Sequence, residues 1–246
     1  MKKVVSLLVI MFSLSAIFAS GKVDKKQIDV VASTSWTAAF ADLAGIDDVE
    51  TIAPATLRHP PEYEVTVSDI EKITTSKFFI YAGFERMMKT LGDAVGNTQM
   101  IKIHCNNSVE NIKTETAKIA SSIGTTEKSK ERVERYIKAV EDGKNKIEKL
   151  KGKKVLCNIN QIYLAKDLGL EVVATFGPGQ VTSEQIANAK NGDYDFIIDN
   201  VHNPVGTPLS EVAPNAKYVV WRNFPEIIEK DALTHVIQGN INSLIK

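Results

Sequence analysis

The chain has 246 residues, with 30 Lys+Arg against 30 Asp+Glu and therefore a formal net charge of zero. That balance excludes a basic field able to hold nucleic acid, and no acidic run or low-complexity block marks a disordered tail. The two cysteines, Cys105 and Cys157, permit at most one disulfide.

Residues 1–21 read as an export signal. Lys2-Lys3 form a basic start, residues 4–18 an apolar stretch, and Ala16, Ala19 and Ser20 supply small residues near a cleavage point. The stretch is short for a membrane span, and no second apolar run follows. An uncleaved N-terminal anchor is the competing reading. No cysteine lies near the cleavage region, so no lipid anchor is expected there. The expected location is periplasmic or extracytoplasmic. About 225 residues remain, enough for one large or two small domains.

Residues 28–32 are an apolar run followed by Ser33-Thr34-Ser35, a strand and then a helix cap. The helix carries Trp36, Phe40 and Leu43 and ends near Gly45. Residues 49–53 read as a second strand, followed by a loop with His59. Thr66 or Ser68 can cap a helix running through Ile73. A strand at 78–82, a helix at 84–91 and a strand at 100–104 follow. Residues 126–150 change character: Val133, Ile137, Val140, Ile147 and Leu150 form one apolar stripe amid Lys and Glu, with Gly143 its weak point. Strands then resume at 155–157, 171–176, 196–199 and 218–221, and a helix from 231 to 245 closes the chain. Alternation of this kind predicts an α/β fold with two parallel-sheet lobes, 22–125 and 151–246, joined by one long helix over 126–150.

Ligands of open α/β sheets bind beyond the carboxyl ends of the strands. Three of the four histidines stand there: His59 with Glu62, His104 beside Cys105, and His202 after Asp199. His235 falls within the last helix and reads as a surface or packing residue. Imidazole nitrogen and carboxylate oxygen suit zinc or manganese, although each histidine taken alone is as readily explained by a bond to its own loop. Cys105 and Cys157 read as buried small residues, as a disulfide across the cleft, or as thiolate ligands that would favour zinc. Gly177-Pro178-Gly179-Gln180 lacks the Lys-Ser/Thr of a phosphate loop and reads as a turn. Asn106-Asn107-Ser108 has the form of a glycosylation sequon and is read as a helix cap.

The stretch Arg58-His59-Pro60-Pro61-Glu62-Tyr63-Glu64-Val65-Thr66-Val67-Ser68-Asp69-Ile70, with the apolar run after it, resembles the zinc/manganese-binding solute receptors of ABC importers. That family reads roughly D-P-H-x-Y-E-P-T-P-S-D-I, followed by a strand ending in G-x-x-x-E. Tyr63-Glu64, Thr66, Ser68-Asp69-Ile70 and Gly83 match, and a single long helix between two lobes is shared. The family's first histidine falls on Pro61, two positions after His59. Its second falls on His104. Its third and fourth ligands fall on Asn158, counted back from Gly169-Leu170-Glu171, and on Asn223.

The resemblance implies an exported, monomeric receptor that takes a divalent transition metal, zinc or manganese, between two lobes and passes it to an ABC permease. It implies no catalysis, and no nucleophile stands beside a base and an orienting group. The expected metal ligands are His59, His104, His202 and Glu62, with Asp199 as the alternative acid. His202 would compensate for Asn158. Two other readings stay open. One is the same scaffold with a metal chelate, such as a corrinoid, or another small molecule as cargo. The other is a metal-dependent hydrolase with Glu62 as its general base.

Overall fold

The computed structural model describes residues 29–92 and 95–246; the expected export signal lies outside them. Two four-stranded parallel sheets are present. The first contains β1 (Val30–Ala32), β2 (Glu50–Thr51), β3 (Phe78–Tyr81) and β4 (Gln99–Lys102) in the order β2-β1-β3-β4. The second contains β5 (Lys154–Asn158), β6 (Glu171–Phe176), β7 (Phe196–Asn200) and β8 (Lys217–Trp221) in the order β6-β5-β7-β8. The two sheets thus share one topology.

Alternation along the strands divides the core. Val31 pairs in register with Phe79, and both enter an outer cluster with Ile52, Ile73 and Met87. Their neighbours Val30 and Ile80 point the other way, as a period of two requires. They join a larger core that runs through Tyr136 to Ile198, Trp221 and Ile241 of the second half. One apolar core therefore spans both lobes, and each sheet buries its other face under local helices.

Local chemistry sets the helix starts. Thr34 caps α1 (Ser35–Leu43) and Thr66 caps α2 (Val67–Thr75), each in a reciprocal capping box. Ser108 caps α4 (Val109–Ile123) by accepting from the Asn111 N–H, so Asn106-Asn107-Ser108 does begin a helix. The α3 helix (Met87–Leu91) starts later than the sequence predicts, because Glu85 turns its carboxylate back onto the Ala82 and Gly83 N–H groups. The ladder of β2 is short, yet Ile52 and Ala53 still donate to the carbonyls of Ala32 and Ser33.

The long helix α5 spans Thr126–Lys146, and a single 3-10 turn, Glu148–Leu150, completes the stretch expected as helix. It is separated from α4 by Gly124, whose φ of 88° only glycine adopts readily. Its buried stripe is Arg132, Val133, Tyr136, Ala139, Val140 and Gly143. Arg132 is buried and meets the Asp42 carboxylate at 2.6 Å, while Asp42 also accepts from the Asp231 N–H at the start of α9 (Ala232–Ile245). These bonds tie α1, α5 and α9 together behind the cleft. The smaller helices α6 (Ile162–Asp167), α7 (Ser183–Asn191) and α8 (Thr207–Val212) pack on the second sheet. Among the described residues no helix is long and apolar enough to cross a membrane.

Candidate functional site

In a 2-1-3-4 strand order, the connections leaving the first and third strands diverge, and a crevice opens at their carboxyl ends. Each sheet fills that crevice with a buried carboxylate. In the first it is Glu85, 1% exposed, which accepts from the Ser33 hydroxyl and from the N–H groups of Ala82 at 2.8 Å and Gly83 at 2.6 Å. In the second it is Asp199, fully buried, which accepts from Asn158 Nδ2 at 3.1 Å, the Asn200 and Gly206 N–H groups at 2.7 Å, and the Tyr218 hydroxyl at 2.8 Å. Both carboxylates are saturated by their own lobes. Asn158, fully buried, is spent on Asp199 and on the Asn160 N–H.

Beyond these strand ends lies a cavity of about 520 Å³ between the lobes. His59, from the loop after β2, and His104, after β4, reach it from the first lobe. His202, after β7, and Asn223, after β8, reach it from the second. The three histidines expected at strand ends thus line one space. Glu62 does not. It sits exposed at the end of the 3-10 turn Pro60–Glu62 and is not among the lining residues. Asp199 is likewise withdrawn. Among the described residues no three His, Cys, Asp or Glu side chains gather closely enough to hold an ion.

His202 is only 6% exposed and stacks on Phe224, with ring centroids 3.5 Å apart and planes 17° from parallel. Burial, and then the nearby Arg222 charge, push its pKa down to about 4, which the backbone of Phe224 and Arg58 only partly offsets. The ring is therefore neutral at neutral pH, the form that offers a lone pair. The backbone of Phe224 and Arg58 approaches the ring, but its Nε2 is buried without a well-formed hydrogen bond, and Oδ1 of Asn223 is buried without a protein partner. Buried polar atoms are rarely left unpaired in a folded protein without a reason.

Trp36 of α1 lies 5.7 Å from Phe224, so an aromatic column runs from the first lobe through Phe224 to His202. Asn107 pins that column. Its Oδ1 accepts from Trp36 Nε1 at 3.0 Å, its Nδ2 donates to the Asn223 carbonyl at 2.8 Å, and its own carbonyl accepts from the Tyr136 hydroxyl at 2.8 Å. One buried amide joins both lobes and the linking helix. Sequence reasoning read Asn107 only as part of a helix cap and gave no role to Arg58 or Phe224. The doubled amide before a Ser cap was the available signal for the first.

Both cysteines are free thiols. Cys105 lines the cavity, but burial, with Glu85 and Glu115 nearby, holds its thiol well above the usual range. Burial does the same to Cys157, aided by Asp199. At both positions burial thus disfavours the thiolate, the form a metal takes. His235 is exposed on α9 and sits 3.2 Å from Glu229, away from the cleft.

No protein-family model matches the chain, and no curated protein matches it in sequence. Solved structures do. The solute-binding protein FpvC of Pseudomonas aeruginosa, in complex with Mn2+, aligns with a TM-score of 0.70 at 14% identity, over 89% of this chain and 98% of that one. The laminin-binding protein of Streptococcus agalactiae, described as having adhesin and metal-transporting activity, gives 0.66 at 17% identity, over 88% and 98%. The Mn-bound periplasmic metal-binding protein of Candidatus Liberibacter asiaticus gives 0.62 at 17% identity, over 89% and 98%. Two four-stranded parallel sheets with a long helix between them, matched over nearly the full length of these structures, give this chain the same fold as these three proteins.

Proposed function

We propose that the chain is an exported receptor that captures a divalent transition metal, zinc foremost, between its lobes and hands it to an ABC permease. The observation that carries the reading is the convergence of His59, His104 and His202, from both lobes, on one interlobe cavity. The shared fold supports it, because the matched proteins include Mn-bound receptors and one with metal-transporting activity. His202 is the central donor in this reading. It is neutral, held flat against Phe224, and its Nε2 has no well-formed hydrogen bond. His59 and His104 are exposed on the wall contributed by the first lobe and supply the other donors. Closing them onto one ion asks for a small rocking of the lobes, which the α5 linkage and the shared core permit better than a wide hinge. Glu62 stands on the same loop as His59 and would join only if that loop moved. No catalytic role is assigned.

Metal analysis of protein purified without chelators, followed by calorimetric zinc titration, tests the reading. His202→Ala is expected to weaken zinc binding at least as much as His104→Ala. Unchanged affinity in His202→Ala would remove His202 from the site.

A further inference from the structure

The cavity is unsuited to a bare cation in two respects. The first is charge. Among the described residues its wall contains no Asp or Glu, and its one permanent charge is the Arg58 guanidinium. The nearest strand-end carboxylates, Glu85 and Asp199, are already saturated by hydrogen bonds within their lobes. Imidazoles bring no negative charge, so a divalent ion set among them would keep its full charge in a partly desolvated space whose one permanent charge is a cation. The second is size. The space between the lobes, about 520 Å³, has room for a body larger than one ion.

The remaining wall matches an organic body. Phe84 of the first lobe and Tyr163 of the second are large side chains left 56% and 38% exposed on the same cavity. Deeper in, the unpartnered Asn223 Oδ1 awaits a donor, and Asn223 and His202 both line the wall from the second lobe. Arg58 is exposed and forms no ion pair among the described residues, so its fork is available to a carboxylate.

We infer that the cargo is a divalent metal carried in a complex with a carboxylate-bearing organic chelator, whose carboxylates meet Arg58 while the imidazoles reach the metal's open positions. This rests on the metal-receptor reading above and narrows it. The complex brings the negative charge that the wall lacks, and its body occupies the volume that one ion cannot.

The test compares zinc alone, zinc with citrate, and zinc protoporphyrin, a zinc complex with two carboxylates, by calorimetry on the mature chain and on its Arg58→Gln and Glu62→Gln variants. The expected result is that one of the two complexes binds at least tenfold more tightly than zinc alone. Arg58→Gln should then lose at least fivefold for that complex and leave zinc alone unchanged. Arg58 is exposed, so the variant should keep the wild-type melting temperature. If zinc alone binds as tightly as either complex, and Glu62→Gln weakens it, the loop supplies the charge; the inference falls and the metal-receptor reading stands. If none of the three binds, both fall.

Discussion

Asn107 offers the sharpest perturbation of the interlobe junction. Its side chain is 5% exposed, and both of its partners, the Trp36 indole and the Asn223 carbonyl, are buried with it. Asn107→Ala removes the acceptor of one and the donor of the other, and water has no easy route to replace them. An orphaned buried donor or acceptor costs roughly 1–3 kcal/mol, so the variant should lose about 2–4 kcal/mol. Trp36→Phe removes the indole N–H alone and should share about 1 kcal/mol of that loss with Asn107→Ala in a double-mutant cycle. Urea denaturation followed by tryptophan fluorescence measures both, since Trp36 and Trp221 both lie in the shared core. That common core also predicts one cooperative transition for the two lobes. A loss below about 0.5 kcal/mol in Asn107→Ala, with no coupling to Trp36, would refute the view that this amide holds the lobes in register.

Other variants probe the linking helix and the His59 loop. Gly143→Ala should gain up to about 1 kcal/mol from helix propensity, but the new Cβ would lie 2.3 Å from Ile241 Cδ1 on α9. Overpacking costs about 1–3 kcal/mol, so a net loss is expected, relieved in Gly143→Ala/Ile241→Val; a melting temperature above wild type for Gly143→Ala would contradict the close approach. Thr66→Ala should cost about 1 kcal/mol by opening the capping box. Burial alone would raise the Asp69 carboxyl, but bonds from the Thr66 N–H and hydroxyl and from the Tyr63 hydroxyl outweigh it, and its pKa lies below 3.8. The stability it adds is therefore present above pH 3.8 and lost as pH falls through the folded value. Asp69→Asn should flatten that acid limb of a pH-stability curve, and an unchanged limb would exclude Asp69 as its source.

The alternation of strands and helices was legible because the central strands β1, β3, β5 and β7 are buried on both faces and each helix buries one stripe. Phe78-Phe79-Ile80-Tyr81 reads as a strand for the same reason that Val31 and Phe79 meet across a ladder. The long helix was legible from Val133 and Val140. Its last turn was not, since Ile147 and Leu150 keep the apolar spacing while the backbone tightens into a 3-10 turn. The three histidines line one cavity because strand ends of a parallel sheet face one way. The carboxylates were not separable by that rule. Asp199 stands near the end of β7, just before a loop, as a ligand would. Its role is decided by Asn158, Gly206 and Tyr218, which lie 41, 7 and 19 residues away in sequence and close around it only on folding.

The same distinction explains what the motif at 58–70 can and cannot say. Tyr63, Thr66 and Asp69 close on one another: the Tyr63 hydroxyl, the Thr66 hydroxyl and the Thr66 N–H all donate to Asp69 Oδ2 at 2.7–3.0 Å. The Pro61 carbonyl accepts from the Arg86 N–H at 2.7 Å, and Glu64 pairs with Arg86 at 2.9 Å. The matching residues are a clamp that fixes a loop over the sheet edge. The clamp demands one backbone path, so the resemblance carries the fold. It makes no demand on which side chain at the loop's crest faces the cleft. Pro61 stands where the family has its histidine, and His59 comes two residues before it, on the same cavity wall. A clamp kept while its crest changes is a scaffold free to present different donors, so the cargo has to be read from the cavity wall, with its imidazoles and amides, its Arg58 and its lack of carboxylate among the described residues.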